Sequence, residues 1–189
     1  MTLRNDATRW GWAARLLHWT MAAIMLFMLG LGLYMTRLDD VFERFALTQI
    51  HKSWGFAVFA LAIVRVIWRL ANREAPRDPP GMKPWERLAA RVSHLGFYLL
   101  MFALPLSGWL MASASPLQDS YGIRNMAFGL FEMPDPFVPG DKALETVFRQ
   151  IHNAAALALG ALLVVHVGAA LKHHFVMRDD VLKRMTWGR

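Results

Sequence analysis

Four apolar runs divide the chain, at about 14–35, 50–70, 88–112 and 148–171, and polar or turn-rich connections separate them. Each is close to the ~20 residues that an α-helix needs to cross a bilayer. Hydrocarbon offers no water to backbone N–H and C=O groups, so all four are predicted to be helices. The first run follows Arg4, Arg9 and Arg15, as the core of a secretory signal would. It is longer than the ~7 to 15 residues of such a core and ends in Tyr34-Met35-Thr36-Arg37, without a small-residue cleavage pattern, so a retained span is expected. Pro105 lies inside the third run and is expected to kink it. Asp141 is placed to cap a helix that continues unbroken into the fourth run.

Charge orients the spans. Arg69, Arg73, Arg77, Lys83, Arg87 and Arg91 cluster around the second connection, and Lys172, Arg178, Lys183, Arg184 and Arg189 follow the last run. The first and third connections hold mainly acids, including Asp39, Asp40, Glu43, Asp119, Glu132, Asp135, Asp141 and Glu145. By the positive-inside rule both termini and the middle connection are cytoplasmic. Trp10, Trp12, Trp19, Trp68 and Trp85 then form an inner interfacial belt, with Trp54 and Trp109 at the outer interface. The middle connection, with Pro76, Pro79, Pro80, Gly81 and Pro84, is expected to be irregular. The third is long and mixes Tyr121, Phe128, Leu130, Phe131, Phe137 and Val138 with turn residues, which suggests a segment lying over the outer mouth of the bundle.

Composition agrees: 56% of the 189 residues are hydrophobic, too many for an ordinary soluble domain of this length. The net charge of +7 is explained by topology rather than by nucleic acid. There is no cysteine, which excludes disulfides, thiolate-held iron–sulfur clusters and covalent attachment of haem through C-x-x-C-H. The fold class read from these features is all-α, an integral membrane four-helix bundle with both termini cytoplasmic.

Histidines carry the candidate chemistry. His152 and His166 are fourteen positions apart in the fourth run, about 21 Å of rise and within roughly 40° of one helix face. With the expected topology, His51 and His152 fall at the outer depth, and His18, His94 and His166 at the inner one. A lone intramembrane histidine is commonly satisfied by a neighbouring helix, but five at two matched depths favour ligation. Two imidazoles on facing helices can clamp a flat porphyrin, whereas zinc wants about four converging ligands that neither depth supplies. Two noncovalent haem b groups are therefore expected, with His18, His51, His152 and His166 as metal ligands. At the outer depth only His51 and His152 are available. At the inner, His166 can pair with His18 or His94; His18 is preferred, leaving His94 to bond a propionate or a quinone. Arg65, fourteen residues after His51, and Arg149, beside His152, are candidate propionate partners, although Arg65 could equally snorkel to headgroups. Gly55, Gly160 and Gly168 are candidates for positions where a porphyrin needs room. His173 and His174 are expected on a solvated interfacial face.

The segments Leu17-His18-Trp19, Ile50-His51-Lys52-Ser53-Trp54-Gly55, Ala103-Leu104-Pro105-Leu106-Ser107-Gly108, Gln150-Ile151-His152-Asn153 and His166 followed by Ala169-Ala170-Leu171-Lys172-His173-His174 resemble the bacterial cytochrome b-561 proteins. These are four-helix dihaem cytochromes of the inner membrane, and the resemblance covers nearly the whole chain. It implies one haem between the positions of His18 and His166 and another between those of His51 and His152, so that residues 1–189 form a single haem-binding domain. If both irons are six-coordinate, the expected activity is one-electron transfer across the membrane rather than oxygen chemistry. The resemblance further implies a superoxide oxidase, passing electrons from superoxide or another outer donor to ubiquinone. The rival expectation is a haem-carrying membrane anchor for a larger dehydrogenase or hydrogenase, with a soluble protein redox partner.

Overall fold

The computed structural model describes residues 2–136 and 140–186; Phe137, Val138 and Arg189 lie outside the described residues. Four long helices dominate: α1 (Trp12–Met35), α2 (Val41–Ala71), α3 (Pro84–Ala114) and, after a short α4 (Leu117–Tyr121), α5 (Lys142–Leu171). All four are long and apolar enough to cross a membrane, and Leu16, Leu33, Ile67, Leu99 and Val164 are exposed on their flanks, as lipid-facing residues must be. The fold is an all-α membrane four-helix bundle.

The helices extend beyond the runs that hydropathy marks. α2 starts at Val41, nine residues before the apolar run, because Asp40 caps it by accepting from the N–H groups of Phe42 and Glu43 at 2.8 and 2.9 Å. Asp141 caps α5 as expected, accepting from Leu144 at 2.9 Å. α3 opens with Pro84 in its first turn, where a missing N–H costs nothing, and Glu86 reaches back to the Lys83 N–H at 3.1 Å. Pro105 lies within the uninterrupted α3.

Packing among the four is uneven. α5 lies along α3, α2 lies between α1 and α3, and α5 makes no comparable backbone approach to α1 or α2. Met21, Ala62 and Met101, with Met25, Leu61, Tyr98 and Phe102 against them, form a small apolar core halfway along the bundle.

The two ends differ in construction. At one end the N-terminal segment, the middle connection and the C-terminal α6 (Val181–Met185) are stitched together. Asn5 donates to the Glu74 carbonyl at 2.9 Å, Arg77 N–H to Ala7 at 3.0 Å, Arg15 to Thr186 at 2.8 Å and Trp19 Nε1 to Met185 at 2.8 Å. Both termini therefore share an end. At the other, the two-residue strands β1 (Met126–Ala127) and β2 (Phe131–Glu132) form an antiparallel hairpin seated on α2. Phe128 N–H donates to Ser53 Oγ at 3.0 Å, and its ring meets Trp54 edge-on at 5.6 Å.

A polar knot under this hairpin holds it. The Asp135 carboxylate accepts from Ser113 at 2.7 Å, Gln118 at 3.2 Å and the fully buried Asn125 at 2.5 Å. Asp135→Ala leaves three donors short of an acceptor, at roughly 1 to 3 kcal/mol per buried group. The expected outcome is faster proteolysis within 115–136 while the helical circular dichroism signal is kept; unchanged cleavage rates would show that the knot does not hold the segment.

Candidate functional site

Five histidines converge on two heights of the bundle. Toward the hairpin end His51 of α2 and His152 of α5 face each other, ring centroids 6.1 Å apart. Toward the termini end His166 of α5 lies 6.2 Å from His18 of α1 and 6.0 Å from His94 of α3. The apolar core around Met21, Ala62 and Met101 separates the two heights.

The spacing has a chemical meaning. Metal–imidazole bonds of about 2 Å on each side, with the ring radii added, put two rings clamping one iron roughly 6 Å apart, centroid to centroid. Both pairs also bridge the helices that α5 does not pack against, where a flat group has room. His51 Nδ1 is buried without a hydrogen-bond partner. The donor set of each height is imidazole with no thiolate, which suits noncovalent haem. Among the described residues no three His, Asp or Glu side chains form a cage for a bare metal ion.

The polar surroundings of the two heights differ. His152 Nδ1 lies 3.0 Å from the Leu104 carbonyl and 3.2 Å from Ser107 Oγ, both on α3. His18 Nδ1 lies 3.4 Å from an Arg65 guanidinium nitrogen, and that guanidinium also stands 6.0 Å from the centre of the Tyr98 ring. Phe97 meets His166 edge-on at 5.1 Å, and Trp19 meets His18 at 5.2 Å. His94 is more exposed than the other four.

Several expectations need revision. Gly160 and Gly168 border open space, and a Cβ on Gly55 would meet only the Met28 methyl at 4.0 Å. The glycines that make room for imidazoles are Gly32, 3.5 Å from His51, and Gly108, where a Cβ would stand 3.2 Å from His152. Each lies on a helix neighbouring the histidine, so only tertiary proximity reveals it. Arg149 is exposed and ion-paired with Glu145 one turn earlier.

The expectation of a solvated face for His173 and His174 is overturned. α5 widens into a π-helical turn (Lys172–Met177), and Arg178 takes a positive φ of 55°, folding the chain back on itself. His173 Nδ1 thereby meets Asp179 at 2.5 Å, both side chains mostly buried, while His174 is half-buried with its Nδ1 unpartnered. Sequence spacing alone carries no signal for that reversal.

A bundle of four membrane-crossing helices with imidazoles facing one another at two heights has the architecture of a membrane cytochrome. Residues 9–188 match the prokaryotic cytochrome b561 family. Cytochrome b561 homolog 2 of Escherichia coli (strain K12) is 35% identical over 189 residues, covering 98% of this chain and 95% of that protein. Cytochrome b561 homolog 1 of the same organism is 28% identical over 137 residues, covering 72% and 73%. The probable superoxide oxidase CybB of Yersinia pestis is 31% identical over 139 residues, with the same coverage of 72% and 73%. The chain belongs to the prokaryotic cytochrome b561 family, whose members bind b-type haem; it is a multi-pass electron-transfer protein of the bacterial inner membrane.

Proposed function

We propose that the chain holds two haem b groups, one between His51 and His152 and one between His18 and His166, and carries electrons from superoxide to ubiquinone. The observation that carries this reading is the pair of imidazole contacts near 6 Å at two heights, each across a helix pair without close backbone packing. Haem b, when bound, supplies one-electron exchange. Imidazoles on both faces leave no open position, which suits outer-sphere transfer rather than oxygen chemistry.

The remaining residues divide the other tasks. The core of Met21, Ala62 and Met101, with Phe59 and Phe102 in edge contact at 5.8 Å, keeps water out of the space between the two heights. Presenting His18 Nε2 to a metal requires the hydrogen on Nδ1, so Arg65 must turn to another acceptor, for which a propionate is suited. His94, beside His166 and more exposed, is left for a propionate or a quinone.

Positive charge supports a termini end in the cytoplasm: Arg69, Arg73, Arg77, Lys83, Arg87, Lys172 and Arg184 lie there. The hairpin end then faces outward, toward the electron donor. There Arg124 and Arg149 are neutralised by Glu132 and Glu145, whereas the Lys52 ammonium donates to the neutral Arg124 carbonyl at 3.4 Å. Lys52, next to His51, is thus the cation suited to drawing in a small anion; Arg149 reaches a propionate only by leaving Glu145. The balanced reaction oxidises two superoxide anions to two dioxygen molecules and reduces one ubiquinone, with two protons, to ubiquinol.

Stopped-flow mixing of the purified protein with superoxide should reduce its haem within the mixing experiment, and a soluble ubiquinone analogue should reoxidise it. A preparation that ignores superoxide but copurifies with a stoichiometric soluble subunit would replace this reading with that of a membrane anchor.

A further inference from the structure

The two heights are not electrostatically equivalent, and the difference assigns a direction to electron flow. At the hairpin end His152 Nδ1 lies 3.0 Å from the Leu104 carbonyl, which can only accept, so Nδ1 carries the hydrogen. The Ser107 hydroxyl spends its own hydrogen on the Ala103 carbonyl at 2.6 Å, which turns its oxygen toward His152 as a second acceptor at 3.2 Å. Nε2 is left with the lone pair, on the side that a metal would occupy.

Sequence explains why α3 offers these acceptors. The Leu104 carbonyl belongs to the tertiary amide of Pro105, and Gly108 has no Cβ to hold the imidazole off. Ser107 is buried in an otherwise apolar stretch, so its back-bond to the preceding turn is its natural resting state.

We propose that Ser107 and the Leu104 carbonyl act as positioning groups that make the His51–His152 height the lower-potential end, while Arg65 beside His18 makes the other height the higher-potential end. An imidazole that donates from Nδ1 is a more basic ligand and favours the oxidised iron. The opposite height has no carbonyl at the corresponding ligand atom. It has instead a half-buried guanidinium, a fixed positive charge that favours the arrival of an electron. Electrons therefore run downhill from the hairpin end to the termini end, the direction that oxidation of superoxide and reduction of quinone at opposite ends require. This inference rests on the dihaem reading and adds the direction of flow and the residues that set it.

Potentiometric titration of the full-length holoprotein, followed at the haem absorbance bands, tests it. Wild type should titrate in two waves, and the wave missing from His152→Ala should be the lower. Ser107→Ala should raise that lower wave by about threefold to tenfold in the reduction equilibrium, the upper figure being ~59 mV for a one-electron couple. Ser107→Thr, which keeps the hydroxyl, should restore it, and Arg65→Gln should lower only the other wave. If both haems bind but Ser107→Ala moves neither wave, or the lower wave is the one that survives His152→Ala, the inference is overturned. Should Ser107→Ala fail to load haem, the wild-type assignment and Arg65→Gln decide the matter alone. Wild type without haem, or His152→Ala retaining both, overturns the underlying dihaem reading instead.

Discussion

Purified protein carrying His152→Ala should contain one haem b where the wild type contains two, a halving measurable as the pyridine haemochrome per mole of protein. His152 is the sole partner that faces His51, at 6.1 Å between ring centroids. Its imidazole is held by the Leu104 carbonyl and by Ser107. Loss of the ring leaves His51 alone to hold a group that the bundle otherwise grips from both faces, and a single axial bond is a weak anchor for noncovalent haem. The height of His166 is separated from this change by the core of Met21, Ala62 and Met101, so its spectrum should persist. Superoxide should no longer reduce the remaining haem at the wild-type rate, because the outer station of the path is gone. Retention of two haems by this variant would sink the assignment of the site.

His18→Ala should cost the second haem, whereas His94→Ala should keep both. The two rings stand almost equally near His166, 6.2 and 6.0 Å, so distance does not separate them. Their surroundings do. His18 is half-buried on α1, a helix that α5 does not closely approach, and it lies beside Arg65, which can serve a propionate. Its neighbour Trp19 is tied to the Met185 carbonyl at 2.8 Å, which fixes that turn of α1. His94 stands on α3, along which α5 packs directly, so the space between His94 and His166 is narrower. Haem counts on the two single variants decide the pairing, and loss of haem from His94→Ala alone would reverse it.

How the site became legible, and where it did not, follows from the range of each interaction. The two histidines of α5 declare a shared face because helical periodicity is local. Matching His51 with His152 needed only their depth in the membrane. By contrast Ser107 and Gly108 reach His152 across a gap of some forty-five residues in sequence, and nothing in their own neighbourhood marks them as its partners. The same holds for Gly32 against His51. The early start of α2 was hidden for another reason: Glu43, Arg44, Thr48 and Gln49 are helical without being apolar, and hydropathy reports burial in lipid rather than helicity.

By itself the sequence determined the four spans, the helical state of each and the two depths at which imidazoles occur, because backbone desolvation and hydrophobic length act along the chain. Tertiary structure decided which helices pack and which stand apart, which acceptors orient His152, and that His173 turns inward to Asp179. Those outcomes depend on contacts between residues far apart in the chain, whose energies exist only once the helices have taken their places.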